Sequence, residues 1–444
     1  MKNDNISAIS TGLVASGVAV IRISGESPLK IAEKMFNPTG KTKVSDFEPY
    51  KMYPGEIIAE DFTDYGMCVY FKAPKSFTGE DIVEFHSHGG VAITRGILQQ
   101  TLKLGARLAE NGEFTKRAFL NGKPSLASAE GLINMINSQS VSSVKAGYAL
   151  YREKLTSKIV ALQDEITDVL SQIDVDMDFP EEDLEQASRE NVKSSLINVI
   201  GQLDTLIKTY RTGRVIKEGV KVGIVGKPNT GKSSILNALL NYDKAIVSDV
   251  AGTTRDVVEG SIDINGVRFN FSDTAGIREN ADKIEAIGVD LSKRTVNESD
   301  LIVFVLDASC KTADDEQIYS LVKDKNLITV VNKTDLSDEK DERADVYVSA
   351  LNKDNVEGLR QAIYNKTLGS IDLNGDFLME ERHFNALVNA KNKFEVALSA
   401  LDLVTLDVLA IDIKDGWDYL GEISGKTATE EIINNIFAKF CVGK

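Results

Sequence analysis

The run Gly226-Lys227-Pro228-Asn229-Thr230-Gly231-Lys232-Ser233, with Ser234 directly behind it, has the spacing of a phosphate-binding loop. Its glycines let backbone N–H groups converge on phosphate oxygens, Lys232 reaches the β/γ oxygens, and the Ser233 hydroxyl suits Mg²⁺. An apolar run, Val220 to Val225, precedes the loop and a helix-like segment, Ile235 to Leu240, follows it. A strand therefore aims the loop, and a helix N-terminus faces the anion. The chain handles a nucleoside triphosphate.

Three downstream elements narrow the base. Asp273-Thr274-Ala275-Gly276 follows a second apolar run; its Asp suits the water shell of Mg²⁺ and the Gly276 N–H suits the γ-phosphate. Asn332-Lys333-Thr334-Asp335 follows the strand-like Leu327 to Val331. There the Asp335 carboxylate can accept from the N1–H and exocyclic amine of guanine, a donor pair that adenine lacks. Ser349-Ala350-Leu351, after the strand-like Asp345 to Val348, fits the loop that backs guanine. Gly252-Thr253-Thr254-Arg255-Asp256 reads as a first switch in which Thr254 completes the Mg²⁺ site. Ile262 to Phe269 reads as a hairpin with an Asn-Gly turn that joins the two switches. In this order the motifs resemble the Ras-like GTPase superfamily, from roughly Gly219 to Ser370, which implies GTP.

The Ras-like pattern places a water-orienting glutamine after Gly276, but this chain has Ile277. The catalytic group must come from elsewhere, and spacing does not choose among Glu279, Asp282 and Glu285. Asn229 has two readings: its side-chain carbonyl ligates a monovalent cation against the phosphates, or it satisfies backbone groups of its own loop.

A length of 444 residues predicts about three domains. No apolar run approaches the roughly 20 residues that span a bilayer, and Met1-Lys2-Asn3-Asp4-Asn5 lacks a secretory segment, so the expectation is a cytoplasmic chain with no membrane partner. Cys68, Cys310 and Cys441 suggest neither a disulfide framework nor a zinc site, and His86 and His88 read as strand-end residues rather than ligands. A formal charge of −16 argues against a surface coated with nucleic-acid contacts; any RNA contact is local or shared with a partner.

Ser7 to about Leu120 alternates strand-like segments (Val18 to Ile23, Tyr65 to Phe71, Ile82 to His86) with helix-like ones (Pro28 to Phe36, Ile93 to Leu104), a small α/β domain. Ser125 to Arg214 has helical periodicity, with Phe179-Pro180-Glu181-Glu182-Asp183 separating two long helices. Phe384 to Ile413 and Thr429 to Phe440 are again helical in pattern and are expected to pack on the earlier helices. The GTPase is then an insertion in a helical bundle, able to transmit switch movement through connections near Gly219 and Ser370; the alternative is two separate helical domains. The expected division is an α/β domain at 1–120, helical segments at 121–218 and 371–444, and a G domain at 219–370.

Outside the GTPase stand Val20-Ile21-Arg22-Ile23-Ser24-Gly25, Ser76-Phe77-Thr78-Gly79-Glu80-Asp81, His88-Gly89-Gly90, Gly112-Glu113-Phe114, Arg117-Ala118-Phe119-Leu120-Asn121-Gly122-Lys123 and the ending Cys441-Val442-Gly443-Lys444. With these motifs the chain resembles the MnmE (TrmE) family of tRNA-modification GTPases over essentially its full length. The resemblance implies a multidomain fold: an α/β N-terminal folate-binding-like domain, an α-helical bundle and an inserted Ras-like α/β GTPase domain. It implies a homodimer that works with the flavoprotein MnmG (GidA) in a heterotetramer or larger complex, through which tRNA is mainly engaged. The product would be an aminomethyl or carboxymethylaminomethyl group at C5 of the wobble uridine. The cofactors it implies are Mg²⁺, K⁺ and a tetrahydrofolate derivative, 5-formyl- or 5,10-methylene-tetrahydrofolate.

Carried over by motif, Arg22, Glu84, Lys123 and Lys444 would line the folate site. Asn229, Ser248, Val250 and Thr253 would hold K⁺, Asp249, Ala251 and Gly252 would join them against GTP, and Glu285 would be the hydrolytic glutamate. Cys441 would be functional, as a nucleophile or as a structural or redox residue. Two stretches depart from the family pattern: Thr11 to Gly17 replaces a Pro- and Gly-rich loop near the folate and dimer contacts, and Lys123-Pro124-Ser125-Leu126 replaces K-x-D-L where a helix begins. A regulatory switch, such as a ribosome-assembly GTPase, shares the phosphate-loop Asn and the T-T-R-D switch, but lacks the folate-type domain and the C-x-G-K tail.

Overall fold

Alternating apolar and polar residues in Val20 to Ser24 and Ile82 to His86 can bury one face of a sheet and leave the other for polar groups. The computed structural model, which describes residues 4–178, 182–242, 260–273, 296–337, 339–369 and 375–444 without the side chains of 178, 182–188, 242 and 273, realises that pattern. The chain divides into two compact units: Met1–Ile133 with Ala149–Gly201 and Asn385–Lys444, and Asn134–Tyr148 with Gln202–Phe384.

In the first unit, seven strands run in the order β3-β4-β5-β6-β2-β1-β7. They are β1 (Ile6–Ile9), β2 (Ser16–Gly25), β3 (Phe36–Pro38), β4 (Met52–Ile58), β5 (Thr63–Phe71), β6 (Asp81–Gly89) and β7 (Arg107–Leu108). Helices α1 (Pro28–Met35) and α2 (Val91–Lys103) belong to this unit, and Ile31, Met35 and Ile97 from them share a core with Ile21, Ile23, Val83 and Phe85. Because side chains alternate along a strand, Arg22 and Glu84 project from the other face, and the β2–β6 register sets them opposite one another. The same register shifts between Ser16 and Ala19, beside the divergent stretch 11–17.

Helix α3 (Glu113–Leu120) is followed by α4 (Leu126–Asn137), whose first turn is capped by Ser125 Oγ accepting from the Ser128 N–H at 3.1 Å. The chain continues through α5 (Val141–Tyr151), α6 (Lys154–Asp178) and α7 (Glu182–Lys208). Within the stretch Phe384 to Ile413, helical in pattern as expected, α12 (Glu381–Ala400) stops, and α13 (Leu406–Ser424) starts anew before α14 (Glu430–Phe437). Arg189 donates to the carbonyls of Leu401 and Val404, satisfying acceptors that a continuing helix would have used. As expected, α13 packs on α6; the Trp417 indole N–H donates to the Gln163 carbonyl at 3.2 Å and the Gln163 amide to the Trp417 carbonyl at 3.1 Å.

The second unit holds a six-stranded sheet in the order β13-β12-β11-β8-β10-β9. These are β8 (Val220–Val225), β9 (Gly260–Ile264), β10 (Val267–Asp273), β11 (Leu301–Asp307), β12 (Leu327–Asn332) and β13 (Val346–Tyr347), with only β9 antiparallel to its neighbour. Every residue of β11 is buried, which is why it reads as an unbroken apolar run. Helices α8 (Tyr210–Glu218), α9 (Lys232–Tyr242), α10 (Ala313–Val322) and α11 (Val356–Thr367) complete the unit. Asn265 and Gly266, both at positive φ (53° and 82°), form the expected hairpin turn between β9 and β10. This is the Ras-like α/β arrangement, inserted in the chain between the helical segments of the first unit. Among the described residues no helix is long and apolar enough to cross a membrane.

Candidate functional site

Strand β8 ends at Val225, and the phosphate loop turns from it into α9. The Lys232 ammonium is aimed by two loop carbonyls, those of Gly226 and Lys227, each at 2.9 Å. Thr230 is buried and donates its hydroxyl to the Lys227 carbonyl at 3.1 Å. Gly231 has φ 89°, and a Cβ there would lie 2.3 Å from Asn332 Nδ2, so no other residue fits that crossing. Ser233 and Ser234 are exposed on the first turn of α9, and Asn229 is exposed in the loop at φ 65°.

Asn332, at the end of β12, joins the two nucleotide loops. Its amide donates to the Thr230 carbonyl at 2.9 Å and its oxygen accepts from the Ala350 N–H at 3.1 Å. Thr334 N–H donates to the Val348 carbonyl at 3.3 Å, and the Ser349 hydroxyl to Asp335 Oδ1 at 2.5 Å. Lys333 Nζ lies 2.6 Å from Asp307 Oδ2. Burial pushes the Asp307 carboxyl up, but hydrogen bonds from Lys333 and Ser309 outweigh it and hold the group below its ordinary range. Leu351 is 81% exposed, beside the buried Ser349 and Ala350.

Asp273 is described by its backbone alone, paired with Ile224 at the end of β10. Ser248, Asp249, Val250 and Ala251, and Gly252, Thr253 and Thr254 of the expected first switch, lie outside the described residues. So do Thr274, Ala275, Gly276 and Ile277, and the carboxylates Glu279, Asp282 and Glu285.

In the first unit, Arg22 Nε donates to Glu84 Oε1 at 2.6 Å, and Glu84 Oε2 lies 3.2 Å from His86 Nε2. Burial opposes ionisation of Glu84; His86 and the Arg22 charge together overcome it and hold the carboxyl below its ordinary value. The Arg22 guanidinium sits 5.2 Å from the ring centre of Phe77 and 5.7 Å from that of Phe114. Phe77 also lines a cavity of about 470 Å³ with Lys123, Thr115, Tyr151 and Arg152. Lys123 Nζ donates to the Ser76 carbonyl at 2.5 Å.

The C-terminal tail docks on the same unit. Val442 pairs with Asn111, Ser10 Oγ donates to the Gly443 carbonyl at 3.4 Å, and Gly112 N–H to the Cys441 carbonyl at 3.4 Å. Cys441 is exposed and Lys444 half-buried. The structure therefore brings Arg22 and Glu84 together, while among the described residues no hydrogen bond or ion pair joins Lys123 or Lys444 to them. The contacts of Phe77 with Arg22 and of His86 with Glu84 escape sequence reasoning. The signal for His86 was present, since it lies two residues from Glu84 and so shares its strand face.

Residues 126–441 match the family described as the MnmE helical domain, and residues 5–123 that described as the GTP-binding protein TrmE N-terminus. The tRNA modification GTPase MnmE of Thermoanaerobacter pseudethanolicus is 40% identical over 457 residues, covering 99% of each chain. That of Clostridioides difficile is 38% identical over 456 residues, covering 100% of this chain and 99% of its own. Among solved structures, Era of Aquifex aeolicus bound to GDP and AlF4⁻ is 30% identical over 39% of this chain and 66% of that one, with a TM-score of 0.27 that bears no weight for the fold. With relatives matched from end to end and both family descriptions satisfied, the chain belongs to the MnmE family of tRNA modification GTPases.

Proposed function

We propose that the protein is a potassium-dependent GTPase that, with the flavoprotein MnmG, adds an aminomethyl or carboxymethylaminomethyl group to C5 of the wobble uridine of certain tRNAs. It would act as a cytoplasmic homodimer and draw its one-carbon unit from a tetrahydrofolate derivative. In this reading 1–120 is the folate and dimerisation domain, 121–218 and 371–444 form the helical domain, and 219–370 is the G domain.

One observation carries the nucleotide half. The Asn332 side chain ties the phosphate loop to the loop behind Asp335, so triphosphate and guanine would be held by a single connected frame. Ser233 and Thr254 would hold Mg²⁺, and the exposed Asn229, with Ser248, Val250 and Thr253, would hold K⁺. Bound there, the two cations supply positive charge where the β–γ bridge becomes negative in the transition state. Lys232 and the loop N–H groups orient the γ-phosphate, and Glu285, in place of the glutamine that Ile277 cannot be, orients the water.

The folate half rests on chemistry and on an orphan. Thr115 Oγ1 is buried without a hydrogen-bond partner among the described residues, in the cavity that Lys123 lines, so a ligand there would satisfy it. Cationic Lys123 and Lys444 suit a glutamate tail, and the Glu84 carboxylate suits the donor edge of a pterin. When bound, 5,10-methylene-tetrahydrofolate would supply a one-carbon unit at the formaldehyde level, that of the proposed aminomethyl carbon.

Steady-state GTP hydrolysis in matched K⁺ and Na⁺ buffers tests the first half. Wild type should turn over at least about tenfold faster in K⁺, a barrier difference near 1.4 kcal/mol, and Asn229→Ala should lose the difference. Glu285→Ala should bind GTP but not hydrolyse it. Equal rates in both salts, or full turnover by Glu285→Ala, would remove the corresponding assignment.

A further inference from the structure

Lys227 lies inside the phosphate loop at a position whose side chain the loop chemistry does not use, yet it is 8% exposed and fully engaged. Its ammonium donates to Asp315 Oδ2 at 2.8 Å, to the Cys310 carbonyl at 2.5 Å and to Thr312 Oγ1 at 3.2 Å. Its own carbonyl accepts from Lys232 Nζ at 2.9 Å and from Thr230 Oγ1 at 3.1 Å. One residue is thus clamped at its side-chain end to the start of α10 and at its backbone end to the lysine that reaches the phosphates.

Asp315 is fixed in turn. It is the third residue of α10 and forms a capping box with Thr312, whose N–H donates to Asp315 Oδ2 at 2.9 Å. Asp315 is only 2% exposed, and its other oxygen, Oδ1, has no hydrogen-bond partner among the described residues. A buried ion pair with an unsatisfied oxygen is a poor way to gain stability, since packed apolar residues do as well or better. What the pair does supply is placement: an ammonium this deeply buried has to stay on its carboxylate, and that holds the Lys227 carbonyl in register. The same connection also reaches the guanine loop. Asp307, held by Ser309 N–H at 2.9 Å and Ser309 Oγ at 2.6 Å, grips Lys333 Nζ at 2.6 Å.

We propose that Lys227 is a positioning residue for nucleotide binding that acts through Lys232, and that the connection from Asp307 to Asp315 braces both nucleotide loops. The inference rests on the phosphate-loop reading above and adds to it Lys227, a loop position whose side chain the motif does not use, with Asp307 and Asp315, which lie outside the nucleotide motifs.

The test measures binding of a fluorescent GDP derivative and steady-state GTP hydrolysis by the full-length protein and its variants. Lys227→Met should raise the GDP Kd and the GTP KM by about tenfold or more, with a smaller change in kcat, because ground state and transition state lose the same contact. Lys227→Arg, which keeps the buried charge, should restore most of the affinity. The paired variant Lys227→Met with Asp315→Asn leaves no uncompensated buried charge, so it should melt near wild type and still bind weakly. A purely structural role would lower the melting temperature and the active fraction without raising KM. The proposal is overturned if the folded paired variant binds GDP like wild type while Lys232→Ala does not. If Lys232→Ala also binds like wild type, the phosphate-loop reading itself fails, and the brace with it.

Discussion

In the proposed role, Asp335 would tell guanine from its analogues only while its carboxylate stays oriented, and the Ser349 hydroxyl donates to Oδ1 at 2.5 Å. That hydroxyl can donate equally well to the oxygen of an asparagine. Asp335→Asn should therefore leave the loop intact and lose only the acceptor pair for the guanine edge. The preference for GTP over XTP should fall by on the order of 100-fold, about 3 kcal/mol, in competition binding against a fluorescent GDP derivative. An undiminished preference would remove Asp335 from base recognition. At this scale the placement of the loops was legible wherever it is written in adjacent residues, as in Gly226 to Ser233 after β8 and Asn332 to Asp335 at the end of β12. The Lys227–Asp315 and Lys333–Asp307 pairs were not, because each joins residues that only the β11–β8 and β11–β12 pairings bring together.

Short elements carry two further predictions. Gly443 has φ 95°, and a Cβ there would stand 2.2 Å from the Ile9 carbonyl, so the tail can dock on β1 only with glycine at this position. Gly443→Ala should release the tail, at a cost of about 1–3 kcal/mol for a side chain in an incompatible conformation, and lower the affinity for 5-formyl-tetrahydrofolate in calorimetry. Unchanged affinity would detach Lys444 from the folate site. In the turn before β13, the Arg343 side chain hydrogen-bonds Asp341 and lowers its carboxyl from 3.8 to about 2, against the opposing effect of burial. A depressed carboxylate contributes stability above its unfolded value near 4 that is lost as the pH falls toward 2, here on the order of 2 kcal/mol. The stability gap between wild type and Asp341→Asn, followed by denaturation, should thus be present at pH 6 and close by pH 2. A gap that does not change with pH would contradict it.

Elements with one strong periodicity were legible: β8 lies at Val220–Val225 and β12 begins at Leu327, where the apolar runs put them. The break between α12 and α13 was not, since Leu401 and Val404 continue the apolar pattern and the group that ends the helix is the remote Arg189. Neither was the docking of the tail, which depends on a contact between the two ends of the chain.

For the molecule as a whole, a charge of −16 and membership of a tRNA modification family pull in opposite directions. In the proposed function this chain would supply the GTPase and the one-carbon chemistry, and a partner would make most of the tRNA contact. The insertion of the Ras-like unit was legible because helical periodicity stops at one end of the nucleotide motifs and resumes at the other. The division of the described residues into two compact units, with 134–148 grouped beside the Ras-like sheet, was not, since nothing in that helical pattern distinguishes those residues from their neighbours. The most direct test is nucleoside mass spectrometry of bulk tRNA from the source organism with and without this gene. The proposed function predicts that C5-aminomethyl-type wobble uridines disappear with the gene and return with the intact copy. An unchanged nucleoside profile would contradict it.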